Sequence, residues 1–193
     1  QISGLSCSDQ LTGRTYEIQA RCVVNATGVW VDALREQDGA NEAIVAPSQG
    51  VHIVVDQKFL PGHTGLMIPK TKDGRVLFAV PWLGKVILGT TDTPRHDLAK
   101  EPLAFEEEID FILNESARYL RHPPTRKDVK SIWVGLRPLV KTSKEEGDNT
   151  KTLSREHLVL VARSGLVTVT GGKWTTYRAM AEDVMRKCVE HQL

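Results

Sequence analysis

Several short stretches of this sequence combine residue types that could do chemistry. Residues 167–177 read VTVTGGKWTTY. A β-rich apolar run ends in Gly171-Gly172, and Lys173 follows where a helical stretch begins. Free backbone N–H groups, a helix dipole and a cation would together cradle an anion. A nucleotide-triphosphatase phosphate loop is excluded by spacing. Lys173 is followed by Trp174 rather than Ser or Thr, and the glycine required five residues before Gly172 is Val167.

Residues 23–30 read VVNATGVW: a strand, small residues, Gly28 and a helix start. A cofactor could approach the backbone closely there, although an ordinary tight β–α turn would use the same residues. Residues 133–138 read WVGLRP, with Arg137 at a strand end braced by Pro138. Its rigid fork suits a phosphate or carboxylate, and equally a structural ion pair. Residues 48–56 read SQGVHIVVD; His52 is either a general base or a satisfied core histidine. The strand end Gly89-Thr90-Thr91-Asp92 offers hydroxyls for a turn cap or a polar pocket.

The elements that must position these residues follow from periodicity. Strands are predicted over 2–6, 16–20, 21–26, 51–56, 65–69, 75–80, 85–89, 129–136, 158–162 and 166–170. Thr12-Gly13, Asp73-Gly74 and Ser164-Gly165 mark the turns. A short helix begins at Val29. A clearer one spans 105–120, with Phe105, Ile109, Ile112, Leu113, Ala117 and Leu120 on one face. Glu106, Glu107 and Glu108 open it and are expected to be solvated and matched to the dipole. The last helix spans 174–191, with Tyr177, Met180, Ala181, Val184, Met185 and Cys188 as its inner face. The fold class is α+β, with a largely antiparallel sheet.

Bulk properties narrow the function. The chain has 193 residues, 40% hydrophobic and 25% charged, with a net charge of +1. That charge gives no basic field for nucleic acid. No stretch approaches the roughly 20 apolar residues of a membrane span, so membrane association would be peripheral. Cys7, Cys22 and Cys188 show no metal spacing and are expected to be reduced thiols. No metal site is expected.

Taken in order, VVNATGVW, SQGVHIVV, IPKTKDGRVLFAVPW, ILGTTDT, VGLRPLV, LSREH and TGGKWTTYRAMAE resemble the FAD-dependent glycerol-3-phosphate dehydrogenases. Each segment is weak alone; the ordered set is specific. The resemblance implies oxidation of sn-glycerol 3-phosphate to dihydroxyacetone phosphate, with electrons passing to FAD and then to membrane quinone. It implies that Arg137, Arg155, Lys173 and Thr91 bind the substrate, the three cations holding its phosphate, and that Arg137 and His52 serve the chemistry. It assigns Ala26, Thr27, Gly28, Gly135, Gly171, Gly172, Lys173, Trp174 and Thr175 to the cofactor. A phosphate dianion needs converging cations, and removal of the hydroxyl proton suits a base with pKa near 7.

The resemblance also divides the chain: 1–46 and 133–193 in an FAD-binding domain of the glutathione-reductase/amino-acid-oxidase type, and 47–132 in a substrate domain. The family's Gly-x-Gly-x-x-Gly segment and C-terminal helical cap do not occur in the sequence. The chain is therefore expected to be a piece that binds FAD weakly and is inactive alone; a yellow purified chain would overturn this. Expected partners are glycerol 3-phosphate, the quinone pool and a homodimer contact through exposed strand edges. The expected location is the cytoplasm, peripheral to the inner membrane. Two other readings remain: an amino-acid or 2-hydroxy-acid oxidase of the same fold, which would bind a carboxylate, and a non-catalytic anion-binding module.

Overall fold

The computed structural model describes residues 2–141 and 156–193. These fall into two compact units. One is built from residues up to Ala46 together with those from Pro138 onward, and the other is Pro47–Arg137. The second unit thus ends at Arg137. The reason is a single long strand, β9 (Ser131–Val140), which stays paired with β4 (Val45–Asp56).

In the first unit, β1 (Gly4–Ser8) and β2 (Thr15–Gln19) form an antiparallel hairpin. A second sheet has β11 (Leu166–Gly171) at its centre. It pairs antiparallel with β10 (His157–Val161) and parallel with β3 (Val23–Asn25). Helix α1 (Val31–Gln37) follows β3 after a 3-10 turn. Helix α3 (Tyr177–Glu190) packs through Val184 and Cys188 onto Val167, with Val159 and Val169 beside them. Its inner face is narrower than the sequence suggests: Tyr177, Ala181 and Met185 are exposed. The apolar stripe at Met180, Val184 and Cys188 turns toward this sheet, and Asp183 beside it meets His157 of β10 at 2.5 Å.

In the second unit, β5 (Leu66–Ile68), β6 (Leu77–Trp82), β7 (Lys85–Gly89) and β4 pair antiparallel in that order. Strand β8 (Thr93–Pro94) continues along β4 beyond β7. Helix α2 (Glu106–Ala117) covers one face through Ile109, Ile112 and Leu113, which meet Val51, Ile53, Val55, Leu77, Ala79, Val86 and Leu88. Alternation along each strand puts these residues on one side. Burying each such Leu, Ile or Val contributes about 1.5–3 kcal/mol before entropy is counted. The result is α+β with mostly antiparallel pairing. No helix of the described residues is long and apolar enough to cross a membrane.

Strand β4 is twice as long as the sequence suggests because its first half is polar yet buried. Ser48 and Gln49 are fully enclosed. Ser48 Oγ donates to Asp92, and Gln49 Nε2 donates to Glu108 at 2.6 Å. Paired polar groups can enter a core without the cost of an unmet hydrogen bond.

Candidate functional site

The face of the six-stranded sheet opposite α2 carries His52, Trp133, Gly135 and Arg137. Strand alternation puts His52 there because its neighbours Val51 and Ile53 enter the core. The imidazole stacks on Trp133, with ring centroids 4.1 Å apart and planes 9° apart. Two glycines make room beneath the functional side chains. A Cβ on Gly89, which pairs with His52, would strike the imidazole; one on Gly50 would strike the Arg137 guanidinium. By contrast, a Cβ on Gly135 would meet nothing. The backbone there is open to a ligand, between Trp133 and Arg137 on the same strand face.

Arg137 is oriented by a bulge. Between the pairs His52↔Gly89 and Gln49↔Thr93, two residues of β4 face three, Thr90, Thr91 and Asp92. Arg137 Nη1 donates to the Thr91 carbonyl at 3.1 Å, and Nη2 donates to Thr90 Oγ1 at 2.8 Å. The planar fork is thus fixed against the bulge.

His52 Nδ1 is buried and has no hydrogen-bond partner. Burial first, and then the Arg137 charge, lower the histidine pKa to about 4. The ring is therefore neutral over the physiological range, and its basicity lies below the value near 7 expected from the sequence. The physical reason is that an imidazolium there would lose hydration against Trp133 and face a guanidinium.

Thr91 is a correction. Its side chain was expected to touch substrate, but the residue is 1% exposed. Its hydroxyl accepts from the Val51 N–H at 3.0 Å and donates to Glu108 Oε1 at 2.9 Å. It replaces a ladder partner inside the bulge, and Thr90 turns toward Arg137 instead. Glu108 is a second correction: it is not solvated. Besides Gln49 and Thr91, it accepts from Thr93 Oγ1 at 2.6 Å and the Phe105 N–H at 3.0 Å. Glu106 and Glu107 remain exposed.

The other group of expected residues belongs to the first unit. Strands β3 and β11 run parallel, with Thr168 opposite Asn25. Ala26, Thr27 and Gly28 therefore leave β3 at the same end of the pair as Gly171, Gly172 and Lys173 leave β11. Loops at the carboxyl ends of parallel strands are the usual ligand side of such sheets. Gly28, Gly171 and Gly172 have φ of 64°, 76° and 75°, values that disfavour side chains. The last two are also crowded: a Cβ on Gly171 would meet the Glu156 carbonyl, and one on Gly172 the Met180 sulfur. Lys173, Trp174 and Thr175 are exposed, Trp174 at 88%. Arg155 lies outside the described residues. A cleft of about 450 Å³ in this unit lies at the opposite end of β11, around Ser164 and Asp38. It contains none of the expected residues, and the loop geometry is the better guide to chemistry.

Sequence reasoning missed several contributors. Buried Asn25 donates from Nδ2 to the Val31 carbonyl at 2.9 Å and accepts from Thr27 Oγ1 at 2.8 Å, fixing the turn into α1. Thr170 Oγ1, one residue before Gly171, is buried without a hydrogen-bond partner. Trp133, Thr90, Gly50 and Gly89 are the others. The signal available was their position inside the motifs, without a means to fix direction.

Within the first unit, an orphaned hydroxyl beside two positive-φ glycines and an unobstructed Gly28 fit a large cofactor held mainly by backbone groups. Comparison with known proteins bears on which cofactor that is. The chain is 47% identical over 193 residues to the mitochondrial glycerol-3-phosphate dehydrogenase of Bos taurus and 46% identical to that of Homo sapiens. Each match covers 98% of this chain and 26% of the relative, so the chain spans about a quarter of the length of these curated relatives. The structure of the glycerol-3-phosphate dehydrogenase from Bacillus halodurans complexed with FAD superposes with a TM-score of 0.82 at 36% identity. That match covers 98% of this chain and 36% of that one. The L-alpha-glycerophosphate oxidase of Mycoplasma pneumoniae, at 17% identity and a TM-score of 0.62, shares the fold. Residues 2–178 match the family described as FAD dependent oxidoreductase. With nearly its whole length inside that match, the chain belongs to the FAD-dependent oxidoreductase family.

Proposed function

We propose that this chain carries the substrate-handling residues of an enzyme that oxidises sn-glycerol 3-phosphate to dihydroxyacetone phosphate. In this reading Pro47–Arg137 is the substrate-binding part, and the remaining residues belong to the flavin-binding part. The observation that carries it is the pairing, on one open sheet face, of a neutral histidine having an unpartnered buried nitrogen with a fixed guanidinium. The similarity to glycerol-3-phosphate dehydrogenases supports the choice of substrate. Onward passage of electrons to quinone and peripheral attachment to a membrane belong to the same proposal.

Oxidation at C2 removes a hydroxyl proton and two electrons with the carbon-bound hydrogen. FAD, when bound, supplies the two-electron acceptor chemistry. Arg137 binds the phosphate through its fork, with Lys173 and Arg155 as the further cations of the proposed set. His52 accepts the hydroxyl proton, and Trp133 holds its ring flat. Ala26, Thr27, Gly28, Gly135, Gly171, Gly172, Trp174 and Thr175 hold the cofactor, with Thr170 added to that set. In the full-length protein with an artificial electron acceptor, glycerol 3-phosphate is oxidised and glycine, a D-amino acid and a 2-hydroxy acid are not. Faster turnover of any of the carboxylates would replace this reading with the oxidase one.

The pH dependence follows from the His52 shift. The imidazole can accept a proton only above its pKa, so the acid limb of kcat/KM lies at about 4. A phosphate dianion at Arg137 offsets the charge that helps depress that pKa. The acid limb of kcat therefore lies at higher pH than that of kcat/KM. In His52→Asn the limb disappears and kcat falls by about 10²–10⁴-fold. Coincident limbs would separate His52 from the Arg137 site.

Gly50→Ala tests the placement of the guanidinium. Gly50 has ordinary strand backbone, so the substitution adds no φ strain, yet its Cβ displaces Arg137. The expected loss in kcat/KM is about 10²-fold. The urea midpoint stays near that of the parent protein.

A further inference from the structure

Cys22 lies just before β3, and Cys188 lies in the last turns of α3. Their sulfurs are 3.5 Å apart, in contact, although 166 positions separate them in sequence. Both are free thiols. They share the small apolar cluster between α3 and its sheet, with Val167, Val184 and Leu193 around them. A disulfide holds its sulfurs about 2.05 Å apart, so the pair has roughly 1.5 Å left to close. Both sit near element ends, where such adjustment is easiest.

We propose that Cys22 and Cys188 form an oxidation site that a hydroperoxide converts to an intramolecular disulfide. The two thiols differ in access. Cys22 is half-buried and Cys188 is buried. Burial, and then the hydrogen bond with Cys22, push the Cys188 thiol pKa up, so Cys188 is held protonated. The first attack therefore comes from the Cys22 sulfur on a peroxide oxygen. The O–O bond breaks, Cys22 becomes a sulfenic acid, and the other oxygen leaves as water, or as an alcohol from an organic hydroperoxide. The Cys188 sulfur then attacks the Cys22 sulfur. The S–O bond breaks, the S–S bond forms, and the departing hydroxide takes the Cys188 proton as a second water. The two sulfurs together lose two electrons, and the peroxide gains them.

The bond ties the C-terminal end of α3 to the chain three residues before Asn25, the side chain that fixes Thr27 and Val31. Oxidation therefore stiffens the approach to the Ala26–Gly28 turn. This inference does not depend on the identity of the substrate.

The test uses the purified full-length protein, hydrogen peroxide, alkylation and tryptic peptide mapping without reduction. The expected product is tryptic peptide 22–35 joined to the peptide that begins at Cys188, lighter than their sum by two hydrogens. Cys7, half-buried in the β1–β2 hairpin, remains alkylatable. Thiol reductant restores both separate peptides. In Cys188→Ala, Cys22 proceeds to the sulfinic acid; in Cys22→Ser, Cys188 stays reduced. The proposal is overturned if the unsubstituted protein accumulates Cys22 sulfinic acid with Cys188 still alkylatable. It is equally overturned if either cysteine instead joins Cys7 or a second chain. Because the first measurement uses the unsubstituted protein, the result stands even if a variant fails to fold.

Discussion

Arg137→Ala in the full-length protein lowers kcat/KM for glycerol 3-phosphate by about 10²–10³-fold. The expected size reflects the loss of a charged, bidentate partner from a partly desolvated face. Arg137→Lys recovers little of it. A lysine carries the charge but cannot reach the Thr91 carbonyl and Thr90 Oγ1 together while presenting further donors in a plane. The Lys variant therefore separates fork geometry from charge. If Arg137→Lys keeps near-parental kcat/KM, the bulge does not orient the site. Folding is a weaker readout here, because the side chain lies on the open face rather than in the core.

Glu108→Ala gives the largest loss of stability. This carboxylate is 5% exposed and accepts from Gln49, Thr91, Thr93 and the Phe105 N–H. Removing it leaves several buried donors unmet and frees the start of α2. The expected cost is about 3–5 kcal/mol, read from urea unfolding. Glu108→Gln retains two polar atoms but places a donor where the carboxylate accepts, so it falls between. Activity declines with stability, because Thr91 holds the bulge against which Arg137 rests. A Glu108→Ala protein with an unchanged midpoint would mean that the four hydrogen bonds are dispensable.

These two sites also show what the sequence made legible. Helix α2 was plain from its apolar spacing, since one side of a helix packing on a sheet must repeat every three to four residues. The first half of β4 was hidden because Ser48 and Gln49 look like loop residues until their partners are known. Arg137 and His52 were singled out by residue type, Arg137 at an expected strand end that β9 in fact runs past to Val140. The choice between Thr90 and Thr91 failed for a definite reason. Alternation assigns faces correctly only while a strand stays in register, and the bulge inserts one residue there. The same limit applies to Glu108, one of three consecutive acids. Its inward direction is set by Gln49, Thr91 and Thr93, which lie 15 to 59 positions away in sequence.

The stack of His52 on Trp133 gives the chain an optical probe. The sequence has four tryptophans, and this one lies flat against a titrating ring. An imidazolium quenches the emission of an indole it touches far more than a neutral imidazole does. Trp133 fluorescence therefore reports the protonation of His52 directly, in resting protein and without turnover. Retaining this tryptophan and replacing Trp30, Trp82 and Trp174 with phenylalanine would make the proton on His52 visible in a cuvette.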